Sequence, residues 1–267
     1  MSSSSLAGRA ALRREVDARI GACTLAVAEQ LLAVSTLLAD DKSLRTALSD
    51  AGQSAESRAA LAADILAGKV DHTSAELIAA AVSIRWHSGE DLVEALDELG
   101  AAVAFTAAEA DGSLSSVEEE LFRFGRAVEA NPDLQMRLTD PALATAGKAS
   151  LVRDLVASGT PTTITLLAHL AANLRGRRVD AAVTALTNLA AAQRERVVAQ
   201  VRVAIALDEA QTERLARALA RFSDREVHLN IVVDPTVIGG ASVRLGEHVI
   251  DGTMLTRITQ ARRSLVG

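Results

Sequence analysis

The sequence predicts a mainly helical protein that ends in a small α/β module. Apolar residues recur at spacings of three and four through the first 196 residues, which is the period of an amphipathic helix. From position 197 they alternate with polar residues, as in a half-buried strand. Hydrophobic residues make up 49% of the 267-residue chain but aromatics only 2%. A core of Ala, Leu and Val suits helices that cross closely. We therefore expect a helical bundle followed by a strand–helix–strand–hairpin–helix domain.

A duplicated unit of about 90 residues organises the helical part. A shift of 90 positions brings residues 44–99 onto residues 134–189 without a gap. The matched positions include polar residues, which chance matches between leucine-rich helices would not supply. The identical pairs are Leu44 and Leu134, Leu48 and Leu138, Asp50 and Asp140, Leu61 and Leu151, Asp64 and Asp154, Thr73 and Thr163, Leu77 and Leu167, Arg85 and Arg175, Val93 and Val183, Leu96 and Leu186, and Leu99 and Leu189. We predict three regions: 1–110 with the first copy, 111–196 with the second copy, and the module 197–267.

Helix starts in the second half are marked by capping residues. Asn131 and Thr160 each precede a proline, which favours the first position of a helix. Ser115 and Ser116, each followed three residues later by a glutamate, predict two overlapping capping boxes. Asp208 with a glutamine three residues later predicts another helix start.

The C-terminal module contains the most informative set of strand-ending and turn-forming residues in the chain. A proline ends the alternating strand that begins near Val227, because proline has no N–H to donate to a strand ladder. Glycines then allow backbone angles that other residues avoid and mark a tight hairpin. An Asp-Gly pair caps a last helix that we expect to run through Ala261. These motif residues are Asp234, Pro235, Gly239, Gly240, Gly246, Asp251 and Gly252.

Composition and spacing argue against several classes of function. The net charge is −6, and no basic patch is interleaved with aromatics, so nucleic-acid binding is not indicated. Cys23 is alone, and none of the five histidines has a ligand partner at metal-site spacing. We expect no catalytic residues, no metal and no cofactor. The uncharged stretch 155–174 is interrupted at Pro161, which leaves it too short to cross a bilayer. The N-terminus shows no signal-peptide pattern.

The motifs together resemble one family. Besides the C-terminal motif residues, the chain contains three further motifs: NPDLQMRLTDP from Asn131, KASLVRDLV from Lys148 and LLAHLAANLRGRRVD from Leu166. In that order and spacing, over about half the chain, they resemble the delta subunit of bacterial F-type ATP synthases, the family of the oligomycin-sensitivity-conferring protein. The chain is about 90 residues longer than most bacterial members, in the segment that carries the first copy. It therefore resembles the long delta of actinobacteria.

The resemblance implies a stator subunit without catalysis, peripheral on the cytoplasmic face of the bacterial cell membrane, with one copy per complex. The helical domain would bind N-terminal helices of alpha subunits in grooves between its helices. The C-terminal module would hold the C-terminal end of the b subunit. The residues expected at the alpha contact are Leu166, Leu167, Leu170 and Leu174, with Arg175, Arg177 and Arg178 at its rim; those expected at the b contact include Leu255 and Ile258.

Three alternatives stay open from the sequence. The four leucines could serve only to fill the bundle core. The arginine cluster could cap the preceding helix, whose C-terminal dipole favours cations, rather than contact a partner. The whole protein could instead be a helical adaptor or regulatory protein with a ligand-sensing α/β tail. An enzyme would need convergent polar groups that the sequence does not display.

Overall fold

A computed structural model describes residues 3–195, 197–205, 207–223, 227–234, 241–245 and 248–251. The chain divides into two compact units, Met1–Gln193 and Arg194–Gly267. The prediction of a mainly helical protein with a small α/β C-terminal module is confirmed.

The first unit is a bundle of helices. A short 3-10 turn, Ile20–Ala22, follows the first helix. The helices in chain order are α1 Ser3–Ala18, α2 Leu25–Asp40, α3 Lys42–Ser49, α4 Ala55–Leu66, α5 His72–Ser83, α6 Gly89–Ala110, α7 Leu114–Ala130, α8 Pro132–Thr139, α9 Thr145–Leu155, α10 Pro161–Ala172 and α11 Val179–Glu195.

The helix bounds follow the 90-residue repeat. Helix α3 begins at residue 42 and α8 at 132, α4 at 55 and α9 at 145, and α6 at 89 and α11 at 179. One tertiary contact is also repeated. The Gln30 side chain accepts the backbone N–H of Asp71, the N-cap of α5, and Glu120, 90 residues after Gln30, accepts that of Thr160, the N-cap of α10. The duplication inferred from the sequence is thus visible in the fold.

One hydrophobic core joins the two copies. It extends along the unit from Leu12 to Ala190 and includes the fully buried Phe105 of α6. Helices α2 and α6 pack closely at Gly100, where a Cβ atom would lie 2.7 Å from Leu32 Cδ2. A larger residue at this position would have to displace Leu32. The division at residue 110 stays a prediction about the repeat, since the core itself is continuous there.

The predicted capping boxes of α7 are wrong. The helix begins at Leu114, so Ser115 and Ser116 lie inside its first turn. The turn before it is held by Asp111, whose Oδ1 accepts the Ser113 N–H at 2.9 Å. The caps predicted for α8 and α10 are confirmed: the side chains of Asn131 and Thr160 accept the N–H three residues on.

In the residues that the structure describes, the second unit is a four-stranded sheet with one helix. Its elements are β1 Val197–Val203, α12 Glu209–Ser223, β2 Val227–Val233, β3 Ala241–Leu245 and β4 His248–Asp251. The strand order is β2-β1-β3-β4; β1 and β2 are parallel, and the other neighbours are antiparallel. Val201 pairs with Ile231 on one side and with Val243 on the other. The predicted hairpin is the β3–β4 pair.

The ends of these elements agree with the predicted signals where the structure describes them. Asp208 and Gln211 cap α12 reciprocally, each side chain accepting the backbone N–H of the other. The Asp234 N–H donates to Val203 O at 2.8 Å directly after β2, and Asp251 is the last residue of β4. The last helix of the predicted order lies outside the described residues, as do Pro235, Gly239, Gly240, Gly246, Gly252, Leu255 and Ile258.

Candidate functional site: a groove beside helix α10

The four leucines proposed for partner binding are all buried. Leu166, Leu167, Leu170 and Leu174 are 2%, 0%, 7% and 6% exposed, so each contributes to the core. Leu166 and Leu170 have a second role, because they also line a groove at the surface of the bundle. Burial and partner contact are therefore compatible for these two residues.

The groove has a volume of about 460 Å³ and lies between α6, α10 and α11. Ala182, Leu186 and Leu189 follow one face of α11 at the spacing of an amphipathic helix. Leu186 and Leu189 are only partly buried. Apolar lining of this kind can accommodate the apolar face of an amphipathic helix. The apolar lining residues are Leu32, Ala101, Leu166, Leu170, Ala182, Ala185, Leu186 and Leu189.

A partly buried carboxylate, Asp97, marks the polar part of the groove. Asp97 of α6 accepts hydrogen bonds from Ser35 Oγ and from Arg175 Nη1 at 2.5 Å, and its Oδ1 lies 2.9 Å from His169 Nε2. Burial alone would raise the pKa of Asp97, but hydrogen bonds and charges from His169, Arg175 and Ser35 outweigh it and hold the pKa below its usual value. The cluster therefore binds α2, α6 and the end of α10 together through a charged aspartate.

The three arginines that follow α10 make different contacts. Arg175, in the left-handed region at φ 48°, pairs with Asp97. Arg177 donates from Nε to Leu174 O at 3.2 Å and from Nη2 to Asn173 O at 3.4 Å. It therefore caps the C-terminal end of α10, where carbonyls lack helical partners. Arg178 pairs with Asp180 at 3.0 Å on the surface. Arg177 also lines the groove.

Sequence reasoning missed the partners that hold this site. It singled out Arg175 but not its partners Asp97 and Ser35, which are 78 and 140 residues distant from it. No local spacing rule connects such positions. The available signal was Asp97 itself, in a helix whose buried residues are apolar apart from Thr106.

Within the described ranges, no group of three or more His, Cys, Asp and Glu side chains could hold a metal ion. Among the same residues, no helix is long and apolar enough to span a membrane. A helical bundle with an apolar groove, joined in sequence to a small α/β unit, defines a class of protein that binds other proteins.

Comparison with known proteins identifies the family within this class. The family model "ATP synthase delta (OSCP) subunit" matches residues 100–265, more than half of the chain. An ATP synthase subunit delta of Streptomyces griseus is 39% identical, with both chains covered completely. One of Parafrankia sp. is 42% identical over 90% of this chain and 86% of its own. One of Kineococcus radiotolerans is 37% identical over 98% and 96%.

A solved chain is a more distant match. It belongs to the cryo-EM structure of the Toxoplasma gondii mitochondrial ATP synthase hexamer. It is 21% identical with a TM-score of 0.29, covering 64% of this chain and 98% of that one.

The chain belongs to the ATP synthase delta (OSCP) subunit family, in the long form found in actinobacteria. It is accordingly a non-catalytic stator subunit of the synthase and a peripheral component of that membrane complex. This assignment decides against the adaptor with a ligand-sensing tail.

Proposed function

We propose that the groove beside α10 binds the N-terminal helix of an alpha subunit, and that the C-terminal unit holds the C-terminal end of the b subunit. One copy of the chain would then join the catalytic head to the peripheral stalk on the cytoplasmic face of the membrane. The family assignment supports this arrangement, and the groove supplies a surface of suitable shape and polarity for the first contact.

The observation that carries the alpha contact is the half-buried leucine pair of α11. Leu186 and Leu189 stand opposite the buried Leu166 and Leu170 and leave apolar surface in the groove. Covering such surface stabilises a complex by about 25 cal/mol per Å². A second contact through the b subunit would strengthen attachment further, because linked binding events act at high effective concentration. Leu167 and Leu174, which do not line the groove, would support its wall, and Arg175 and Arg178 would lie at its rim.

The alpha contact is tested by titrating a synthetic alpha-subunit N-terminal peptide against the purified full-length chain by calorimetry. We expect binding that is lost in Leu170→Asp and weakened about tenfold or more in Leu189→Asp. The second variant guards against misfolding, because Leu189 is only partly buried. Leu37→Asp is the matched control, since Leu37 is 43% exposed and does not line the groove.

The native signal of the single tryptophan, Trp86, shows whether each variant is folded. Failure of the wild-type chain to bind the peptide would refute the alpha contact. Equal binding by folded Leu189→Asp and Leu37→Asp would show that the helix docks elsewhere.

The stalk contact rests on apolar surface of the second unit. Val232 and Val233 of β2 are 49% and 50% exposed, and β2 lies at one edge of the sheet. We expect Val232→Asp to weaken binding of a fragment that comprises the C-terminal end of the b protein, whereas Arg217→Gln on the exposed side of α12 leaves it unchanged. Leu255 and Ile258 remain proposed members of the same contact. No binding of the fragment to the wild-type chain would exclude it.

A further inference from the structure

The last helices of the two repeat copies, α6 and α11, differ in how far one face is covered. Leu96 and Leu99 of α6 are 0% and 3% exposed. Their counterparts in α11, Leu186 and Leu189, are only partly buried and line the groove. The groove thus opens on a face that is covered in the first copy.

Helix α1 is attached to α6 by an arginine that bridges two carboxylates. Arg9, which also lines the groove, donates from Nη2 to Glu94 at 3.0 Å and from Nη1 to Glu98. The counterparts of these glutamates in α11 are Thr184 and Asn188, which carry no charge. The second copy therefore cannot fasten a covering helix to α11 by the same ion pairs.

Two large apolar side chains of the first copy have small counterparts in the second copy. Leu92 of α6 is 0% exposed, and its counterpart Ala182 lines the groove. Trp86 is 6% exposed and packs against α1, where a Cβ atom on Gly8 would lie 3.1 Å from its ring. A Cβ atom on its counterpart, Gly176, would have no neighbour within 4 Å. The second copy therefore has less apolar volume beside the groove.

The floor of the groove shows the opposite exchange. Leu166 and Leu170 of α10 stand where the first copy has Glu76 and Ala80. The second copy is thus more apolar along α10 and less filled along α11. A gap lined by apolar side chains lacks the dispersion contacts of a packed interior, and a fitted apolar group restores them.

We propose that a large apolar side chain of the bound alpha-subunit helix inserts beside Ala182, into the space that corresponds to that of Leu92 in the first copy. Ala182 then determines which size of side chain the groove accepts. This inference rests on the alpha contact proposed above and specifies the feature of the helix that the groove recognises.

The test exchanges volume between the two partners. Ala182→Leu introduces the side chain that the first copy has at this position. The probes are the alpha-subunit N-terminal peptide and a set of its variants in which each large apolar residue in turn becomes Ala. Each is titrated against the full-length wild-type chain, Ala182→Leu and the control Ala181→Leu; Ala181 is exposed on the same helix and does not line the groove.

We expect Ala182→Leu to weaken binding of the parent peptide about tenfold or more, because the added side chain overfills the contact. One shortened peptide should reverse the order: it binds the wild-type chain more weakly than the parent peptide does, but binds Ala182→Leu more tightly. Ala181→Leu should bind every peptide as the wild-type chain does.

The reversal separates side-chain fit from folding, because a folding defect weakens all peptides equally. If Ala182→Leu lacks the native Trp86 signal, Ala182→Val adds less volume and should show the same reversal to a smaller extent. Equal weakening of every peptide, or no weakening, would overturn the role of Ala182, while the groove contact stands if Leu189→Asp still reduces binding. If the wild-type chain binds none of the peptides, the groove contact and this inference fall together.

Discussion

The two repeat copies have the same order of helices, but different polar contacts hold the helices together. In the first copy Arg58, 1% exposed, donates to carbonyl oxygens of Asp50, Gln53 and the last residues of α5, with distances from 2.7 Å. The equivalent residue of the second copy is Lys148, which is partly buried. There the end of α10 is capped by Arg177 from the following turn instead.

A second pair of equivalent residues, Arg85 and Arg175, makes different contacts in the two copies. Arg85 of the first copy donates to Ala51 O within that copy at 2.9 Å. Its equivalent, Arg175, reaches out of the second copy to Asp97 and Ser35. Duplication thus preserved the helices, whereas the polar contacts diverged. The arginine of the first copy binds within that copy, and the equivalent arginine of the second copy binds residues outside it.

The largest expected difference between the copies concerns Arg58. Arg58→Met should lower the free energy of unfolding by about 3 kcal/mol, because it leaves several buried carbonyls without donors. Lys148→Met at the equivalent position should change it by less than about 0.5 kcal/mol. Urea unfolding followed by Trp86 fluorescence measures both; Trp86 is buried in the helical unit. Similar losses in the two variants would mean that the copies are held alike.

The attachment between the copies is tested at Asp97. Asp97→Asn should destabilise the helical unit by about 2 kcal/mol, because the ion pair with Arg175 is lost and His169 loses its carboxylate partner. The control Asp180→Asn removes an exposed ion pair with Arg178 and should leave the free energy of unfolding almost unchanged. A result for Asp97→Asn as small as the control would argue that apolar packing alone joins the copies.

A buried acid of α1 gives the first copy a dependence on pH. Burial raises the pKa of Asp17 from 3.8 to about 6; Arg13 opposes and Glu109 adds to the shift. The folded state therefore binds the proton more tightly than the unfolded state, and stability should rise as pH falls from 7.5 to 5.

The measurement is the melting temperature of the helical unit at pH 7.5 and pH 5. We expect a rise of about 3 °C in the wild-type chain that is reduced in Asp17→Asn. Asp40→Asn, an exposed substitution on α2, should keep the full rise. An equal rise in wild type and Asp17→Asn would assign the effect to other groups, with Glu109 the first candidate because burial raises its pKa as well.

The smallest expected effect compares two helix crossings. Gly100→Ala should destabilise by about 1 kcal/mol, because its Cβ would displace Leu32, which exceeds the gain in helix propensity. Gly125→Ala in α7 has its nearest neighbour at 3.3 Å, a Val183 methyl group, so stability should stay level or rise slightly. Both are read from urea unfolding; a stabilised Gly100→Ala would show that Leu32 moves aside freely.

Local signals in the sequence predicted much of the fold. The 90-residue shift located counterpart helices, and the alternating pattern located β1 and β2. The pair Asp208 and Gln211 marked the start of α12, since capping depends on residues only three apart. The same rule failed at Ser115 and Ser116, because the helix starts at Leu114, directly after the turn at Asp111, and these serines lie inside its first turn.

The site was predictable only in part, for a physical reason. Leucine periodicity and family motifs pointed to α10, where Leu166 and Leu170 line the groove. The wall made by Arg9 and Leu32, and the bond from Arg175 to Asp97, join residues far apart in sequence. Such contacts depend on how helices pack across the copies, and periodicity within a helix contains no information about its neighbours.

The continuous core has a consequence for the exposed turn at Asp111 and Gly112, where Gly112 adopts φ 78°. Such a tip is a favourable place for a protease to cut. A cut there would leave two fragments that still share buried leucines, the Asp97 pairing and the bond from Gln193 to Glu109. The nicked chain would therefore stay associated until denatured, so the longer form cannot shed its additional residues as a detachable arm.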